Sequence, residues 1–70
     1  MKISARNALA GTVSNIVKGP VSTEVTLAIA RGLNIVSVIS TQSARNLKLK
    51  KGMRAMAVVK ATSVMIAVED

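Results

Sequence analysis

From Val21 to Ala30 the chain alternates, with Val21, Thr23, Val25, Leu27 and Ile29 set against Ser22, Glu24, Thr26, Ala28 and Ala30. A period of two sends the two sets to opposite faces of an extended chain, so this stretch predicts a half-buried β-strand. Gly19-Pro20 before it and Arg31-Gly32 after it are turn signals. Upstream, Asn7 to Val17 reads as a long first strand with Leu9, Val13 and Val17 on one side. Gly11 interrupts it, and a glycine inside a strand marks a bulge or a sharp coil. Leu33 to Ile39 predicts a third strand with apolar residues on both faces. A short helix should follow: Ser40 or Thr41 as its cap, Ser43 to Leu47 as its body, and Lys48-Leu49-Lys50-Lys51-Gly52 leading out. Met53 to Lys60 and Thr62 to Val68 predict the last two strands. In the first, Met56 and Val58 oppose Ala57 and Val59; in the second, Val64, Ile66 and Val68 oppose Met65 and Ala67.

Strand, strand, strand, short helix, strand, strand is the element order of an OB-fold. The expectation is an all-β, five-stranded OB-fold-type barrel with one short helix between strands 3 and 4, built as a single domain over residues 1–70. Half of the 70 residues are hydrophobic, more than one core of this size absorbs, and there is no cysteine for a disulfide. Strands apolar on both faces need cover on both, which predicts a homo-oligomer with an apolar interface. Membrane insertion fails on length. The longest uncharged stretch, Gly32 to Ala44, falls short of the roughly 20 apolar residues a spanning helix needs, and it contains Asn34, Ser37, Ser40, Thr41, Gln42 and Ser43. The N-terminus carries no apolar run resembling a secretory segment, so the cytoplasm is the expected compartment.

Ten basic residues against three acidic ones leave a net charge of +7 and point to an anionic partner. Nucleic acid is the alternative reading, as a small basic OB-type module. It is disfavoured because there is no Phe, Tyr or Trp on which to stack bases, and because the cations are scattered outside Arg45 to Arg54. Enzymatic chemistry is poorly supplied. There is no histidine, the only carboxylates are Glu24, Glu69 and Asp70, and no phosphate-cradling GxxxxGK[ST] loop exists. Cation binding lacks its clustered ligands. A tetrahedral oxyanion fits better: it presents acceptors, and this chain is rich in hydroxyl, N–H and cationic donors. Scarce carboxylates lean the choice toward molybdate, tungstate or sulfate.

The tetrapeptide Ser-Ala-Arg-Asn occurs twice, at residues 4–7 and 43–46. The first copy enters a strand that reaches Gly11. Val38-Ile39-Ser40 followed by Ser43, and then Val59-Lys60-Ala61-Thr62-Ser63-Val64-Met65-Ile66, complete a pattern spanning nearly the whole chain. With these three segments in this order and spacing, the chain resembles a molbindin, the molybdate-binding Mop domain also found appended to molybdate-dependent regulators and transporter ATPases. The resemblance implies a barrel that assembles as a homohexamer, a trimer of dimers, holding molybdate or tungstate between subunits with no organic cofactor, to store or buffer it. Carried over, Ser4, Ala5 through its backbone N–H, Arg6, Lys60 and Ala61 through its backbone N–H form one half of a site. Ser40 and Ser43 of a partner form the other half. Some relatives have Ser where this chain has Ala61, a change that keeps the backbone donor and loses a hydroxyl. The family also has a second site type on the threefold axis, made largely by main-chain groups, for which Gly19, Pro20, Val21 and Ser22 are the candidates.

Each of these residues also has a structural reading. Arg6 and Lys60 are ordinary strand-end cations, and Ser40 is a helix cap, a role compatible with binding. Arg45, in the second tetrapeptide, reads as an exposed helix residue. Met53, Met56 and Met65 read as core and interface filler, while Thr62 and Ser63 reach the anion or merely decorate the last strand.

Overall fold

A computed structural model describes residues 7–69. Strands β1 (Asn7–Lys18), β2 (Ser22–Ala30), β3 (Leu33–Ser40) and β4 (Arg54–Val59) form one antiparallel sheet in the order β3-β2-β1-β4. Helix α1 (Thr41–Asn46) joins β3 to β4, and a 3-10 turn at Ala61–Ser63 follows β4. β1 changes partner along its length. Asn7 to Thr12 pair with β4, while Thr12 to Lys18 pair with β2. A strand shared in this way must coil, and the sheet rolls into an open half-barrel.

Gly11 sits next to Thr12, where β1 changes partner. A Cβ there would lie 2.6 Å from the Ala28 carbonyl oxygen and 2.8 Å from Ile29 Cδ1. The glycine is needed for close backbone approach; the register shift itself falls between Val13 and Asn15. Ser14 is the extra residue, and its hydroxyl donates to the Thr26 carbonyl at 3.3 Å. The insertion reverses the faces beyond it. Val13 is buried and Ile16 packs against the core, whereas Val17 turns outward, against the expectation that it shares a face with Val13.

The alternation of β2 holds where the sheet covers it. Thr23, Val25 and Leu27 are buried and Ile29 is half-buried, while Val21, beyond the covered part, is exposed. Val13, Val25 and Leu27 are the buried apolar centre among the described residues, with Ile16, Ile29, Ile39, Leu49, Met53, Ala55 and Ala57 packed around them. Ser40 caps α1, accepting the Ser43 N–H at 3.0 Å.

The fifth strand expected over 62–68 is not present: four strands form among the described residues. After the 3-10 turn, residues 64–69 run without ladder partners among the described residues. Their alternation suits a strand, but a strand exists only through its neighbour's hydrogen bonds. Met65 (93%), Ile66 (86%) and Val68 (84%) are exposed accordingly. The outward side chains of β3 and β4, Val36, Val38, Met56 and Val58, are exposed as well.

Candidate functional site

The start of α1 gathers hydroxyls. Ser40 ends β3 in extended conformation, and one helical turn returns Ser43 to it, so the Ser40 hydroxyl donates to Ser43 Oγ at 2.8 Å while accepting the Ser43 N–H. Both serines are exposed. Thr41 between them points inward and is buried. Its hydroxyl donates to the Gly19 carbonyl at 2.6 Å and lies 2.8 Å from Thr23 Oγ1, and its N–H donates to the Val21 carbonyl at 2.8 Å. The serine pair is therefore mounted on a fully bonded buried anchor.

That anchor is what a reading of alternation alone misses. Thr23 stands in the apolar series of β2, and a buried hydroxyl requires a partner; Thr41 supplies it. Thr41→Val keeps the shape but strands the Gly19 carbonyl and the Thr23 hydroxyl. It should cost about 2 kcal/mol, read as a lower urea midpoint at unchanged slope; an unchanged midpoint would remove the anchor role.

The turn at 19–22 is tied down by the same contacts. Gly19 N–H donates to the Ser22 carbonyl at 3.0 Å, and a Cβ on Gly19 would lie 2.5 Å from that oxygen. With Gly19 engaged at both its N–H and its carbonyl, and with Pro20 lacking an N–H, Val21 and Ser22 hold the main-chain donors this segment has to offer.

Ser4, Ala5 and Arg6 lie outside the described residues. The strand they enter is described. Asn7 pairs with Val59, and Asn7 Nδ2 donates to the Val59 carbonyl at 3.4 Å. Lys60 follows Val59 directly, and the 3-10 turn closes with Ser63 N–H donating to the Lys60 carbonyl at 2.9 Å. Lys60 and Ala61 are exposed.

The structure does not bring the two groups together within one chain. Ser22 pairs with Ser40 and Thr23 with Lys18, which places the serines by the Lys18 end of β1. Lys60 lies by the Asn7 end. The strands that carry them, β3 and β4, are opposite edges of the sheet. A 12-residue strand lies between those ends, on the order of 30–40 Å of extended chain.

Residues 3–66 match the TOBE domain family. This chain belongs to that family, as a molbindin-type (Mop) domain. The TOBE domain is 52% identical over 66 residues to molybdenum-pterin-binding protein 2 of Clostridium pasteurianum, covering 94% of this chain and 97% of the relative. It is 44% identical over 69 residues to the molybdenum transport protein ModE of Herbaspirillum seropedicae, covering 99% of this chain but spanning only 26% of that protein. A molybdate-binding protein from Sporomusa ovata superposes with a TM-score of 0.90 at 38% identity, covering 97% of this chain and all of that one. The cytoplasmic molybdate-binding protein ModG, solved with molybdate bound, gives 0.82 at 46% identity over 87% of this chain and 43% of its own. These relatives are named for binding and transport, and the TOBE domain is a binding domain rather than an enzyme. No group of metal-ligating side chains is assembled among the described residues, and no helix there is long and apolar enough to cross a membrane.

Proposed function

We propose that this single 70-residue domain binds molybdate, and tungstate through the same donors, at interfaces between copies of itself in a homohexamer, so as to store or buffer the oxyanion in the cytoplasm. One observation carries the intersubunit reading. The Ser40–Ser43 pair and Lys60 sit at opposite ends and opposite edges of the sheet, so a pocket using both needs two chains. One chain contributes Ser4, the Ala5 N–H, Arg6, Lys60 and the Ala61 N–H; its neighbour contributes Ser40 and Ser43. Arg6 immediately precedes Asn7 and Lys60 immediately follows Val59, the pair that begins the β1–β4 ladder. The first N–H groups of the turn after Lys60 have no partner inside the turn, and Ala61 owns one of them. Charge-assisted hydrogen bonds from these donors match an ion that presents only acceptors. Val21 and Ser22, in the segment Gly19 to Ser22, are the main-chain donors for a second site.

The open barrel supplies a reason to assemble. Between edge strands β3 and β4 lies an apolar groove floored by Val25, Leu27, Ile39 and Leu49. The alternating segment 64–69 of a second copy, without ladder partners among the described residues, suits that groove in length and chemistry. Because the oxyanion would bind across the interface, it stabilises the assembly by mass action, by about 2.7 kcal/mol at a hundred times the dissociation constant.

Calorimetry with molybdate tests the donor assignment. Arg6→Ala should weaken binding by about a hundredfold, the loss of a charged hydrogen-bond donor from a partly dry site. Arg45→Ala should leave binding unchanged, although its tetrapeptide is the same. Equal losses in the two variants would sink the assignment.

A further inference from the structure

The second Ser-Ala-Arg-Asn copy lends the site above only its Ser43, and its arginine lines a cleft of its own. Between the end of β1 and helix α1 lies a concavity of about 230 Å³. Lys18, Arg45, Lys48 and Lys50 line it, and no carboxylate does. Its interior is apolar, built from Ile16 and Leu49. The hydroxyls at its back, Thr23 and Thr41, are bonded to one another.

Lys48 carries a second, independent signal. Helix α1 ends in a Schellman arrangement, with Lys48 N–H donating to the Arg45 carbonyl at 3.0 Å and Leu49 N–H to the Ala44 carbonyl at 3.2 Å. The residue at that corner must be left-handed, a position that glycine occupies without strain. Here it is lysine, at φ 54°, the one non-glycine residue with positive φ among those described. A strained backbone is thus kept at the site that puts a fourth cation on the cleft.

We propose that this cleft binds a small organic phosphate monoester, separately from the oxyanion site. Four cations with no carboxylate in the lining call for more than a single negative charge, and a phosphate monoester carries close to two at neutral pH. The apolar interior asks for a carbon body that a bare inorganic anion lacks. The ligand enters body first, over Ile16 and Leu49, and leaves its phosphate among the ammonium and guanidinium groups at the rim. The volume of the concavity suits a small molecule rather than an extended polyanion.

Phenyl phosphate is the probe, titrated into the full chain by calorimetry, with inorganic phosphate, phenol and a short oligonucleotide in parallel. Phenyl phosphate should bind more tightly than either of its halves. Lys48→Gly and Arg45→Ala should each weaken it about tenfold, the loss of one charge-assisted contact. Because glycine relieves the left-handed strain, Lys48→Gly should melt no lower than the parent, so its loss of binding cannot be ascribed to unfolding. Molybdate binding should be unchanged in both variants, which separates this cleft from the oxyanion site whatever the fate of that assignment. Three results would each overturn the proposal: phenyl phosphate bound equally by parent and variants, inorganic phosphate binding as tightly as phenyl phosphate, or the oligonucleotide binding where phenyl phosphate does not.

Discussion

Ile66→Glu is expected to break the assembly while leaving the single chain's fold intact. Ile66 is 86% exposed on the isolated subunit. There, a surface substitution of this kind changes stability by no more than about 0.5 kcal/mol. If segment 64–69 lies in a neighbour's groove, the same glutamate buries an unpaired charge, at a cost on the order of 3–5 kcal/mol in each interface. Six such interfaces would be affected in a homohexamer, so the shift in mass should be complete at micromolar concentration. Light scattering should find a hexamer for the parent and smaller species for the variant. Molybdate uptake should fall with the mass, since each proposed pocket draws on two chains. An unchanged hexamer would remove segment 64–69 from the interface, and a monomeric parent would remove the interface itself.

Gly11→Ala should strongly destabilise the subunit. Its methyl would press on the Ala28 carbonyl at 2.6 Å and on Ile29 Cδ1 at 2.8 Å. The isoleucine tip can rotate away, but the carbonyl belongs to the ladder in which Thr12 pairs with Ala28. Relief therefore means opening the sheet where β1 changes partner. Overpacking of this type costs about 2–3 kcal/mol, and in a domain this small that lowers the melting temperature by on the order of 10–20 °C. Gly32→Ala is the control. Its Cβ would meet nothing within 4 Å, so only the strain of φ +74° remains, a cost of about 1–2 kcal/mol. Thermal unfolding followed by circular dichroism ranks the two, and a Gly11→Ala melt equal to that of the parent would mean the sheet yields freely at this point.

The strand faces were legible wherever one strand packs on its neighbours without irregularity. Thr23, Val25 and Leu27 occupy the buried side of β2 as their spacing demands, and Ser40 caps α1 because a hydroxyl in extended conformation before a helical turn finds the Ser43 N–H. Legibility failed at Val17. The shift that turns it outward lies at Ser14, a residue with no turn or bulge signature, and it arises from how β1 matches β2 rather than from anything local. It failed again over 62–68, where the alternation is sound but no strand among the described residues pairs with it. Lys48 gave no sign either, because glycine is the usual marker of a left-handed corner and lysine is not.

The doubled tetrapeptide shows where that boundary runs. Composition and periodicity determined the all-β class, the short helix with its hydroxyl cap, the excess of cationic donors and the lack of catalytic side chains. Each of these depends only on residue type and near neighbours in the chain. Where the second copy of Ser-Ala-Arg-Asn sits was decided by tertiary structure. Strand order sets the Ser40–Ser43 pair and Lys60 at opposite ends of β1, and the turn after α1 brings Lys48 to the cleft that Lys18 and Arg45 line. Those placements rest on hydrogen bonds between residues far apart in sequence, and no local pattern of side chains specifies the partner of a distant backbone group.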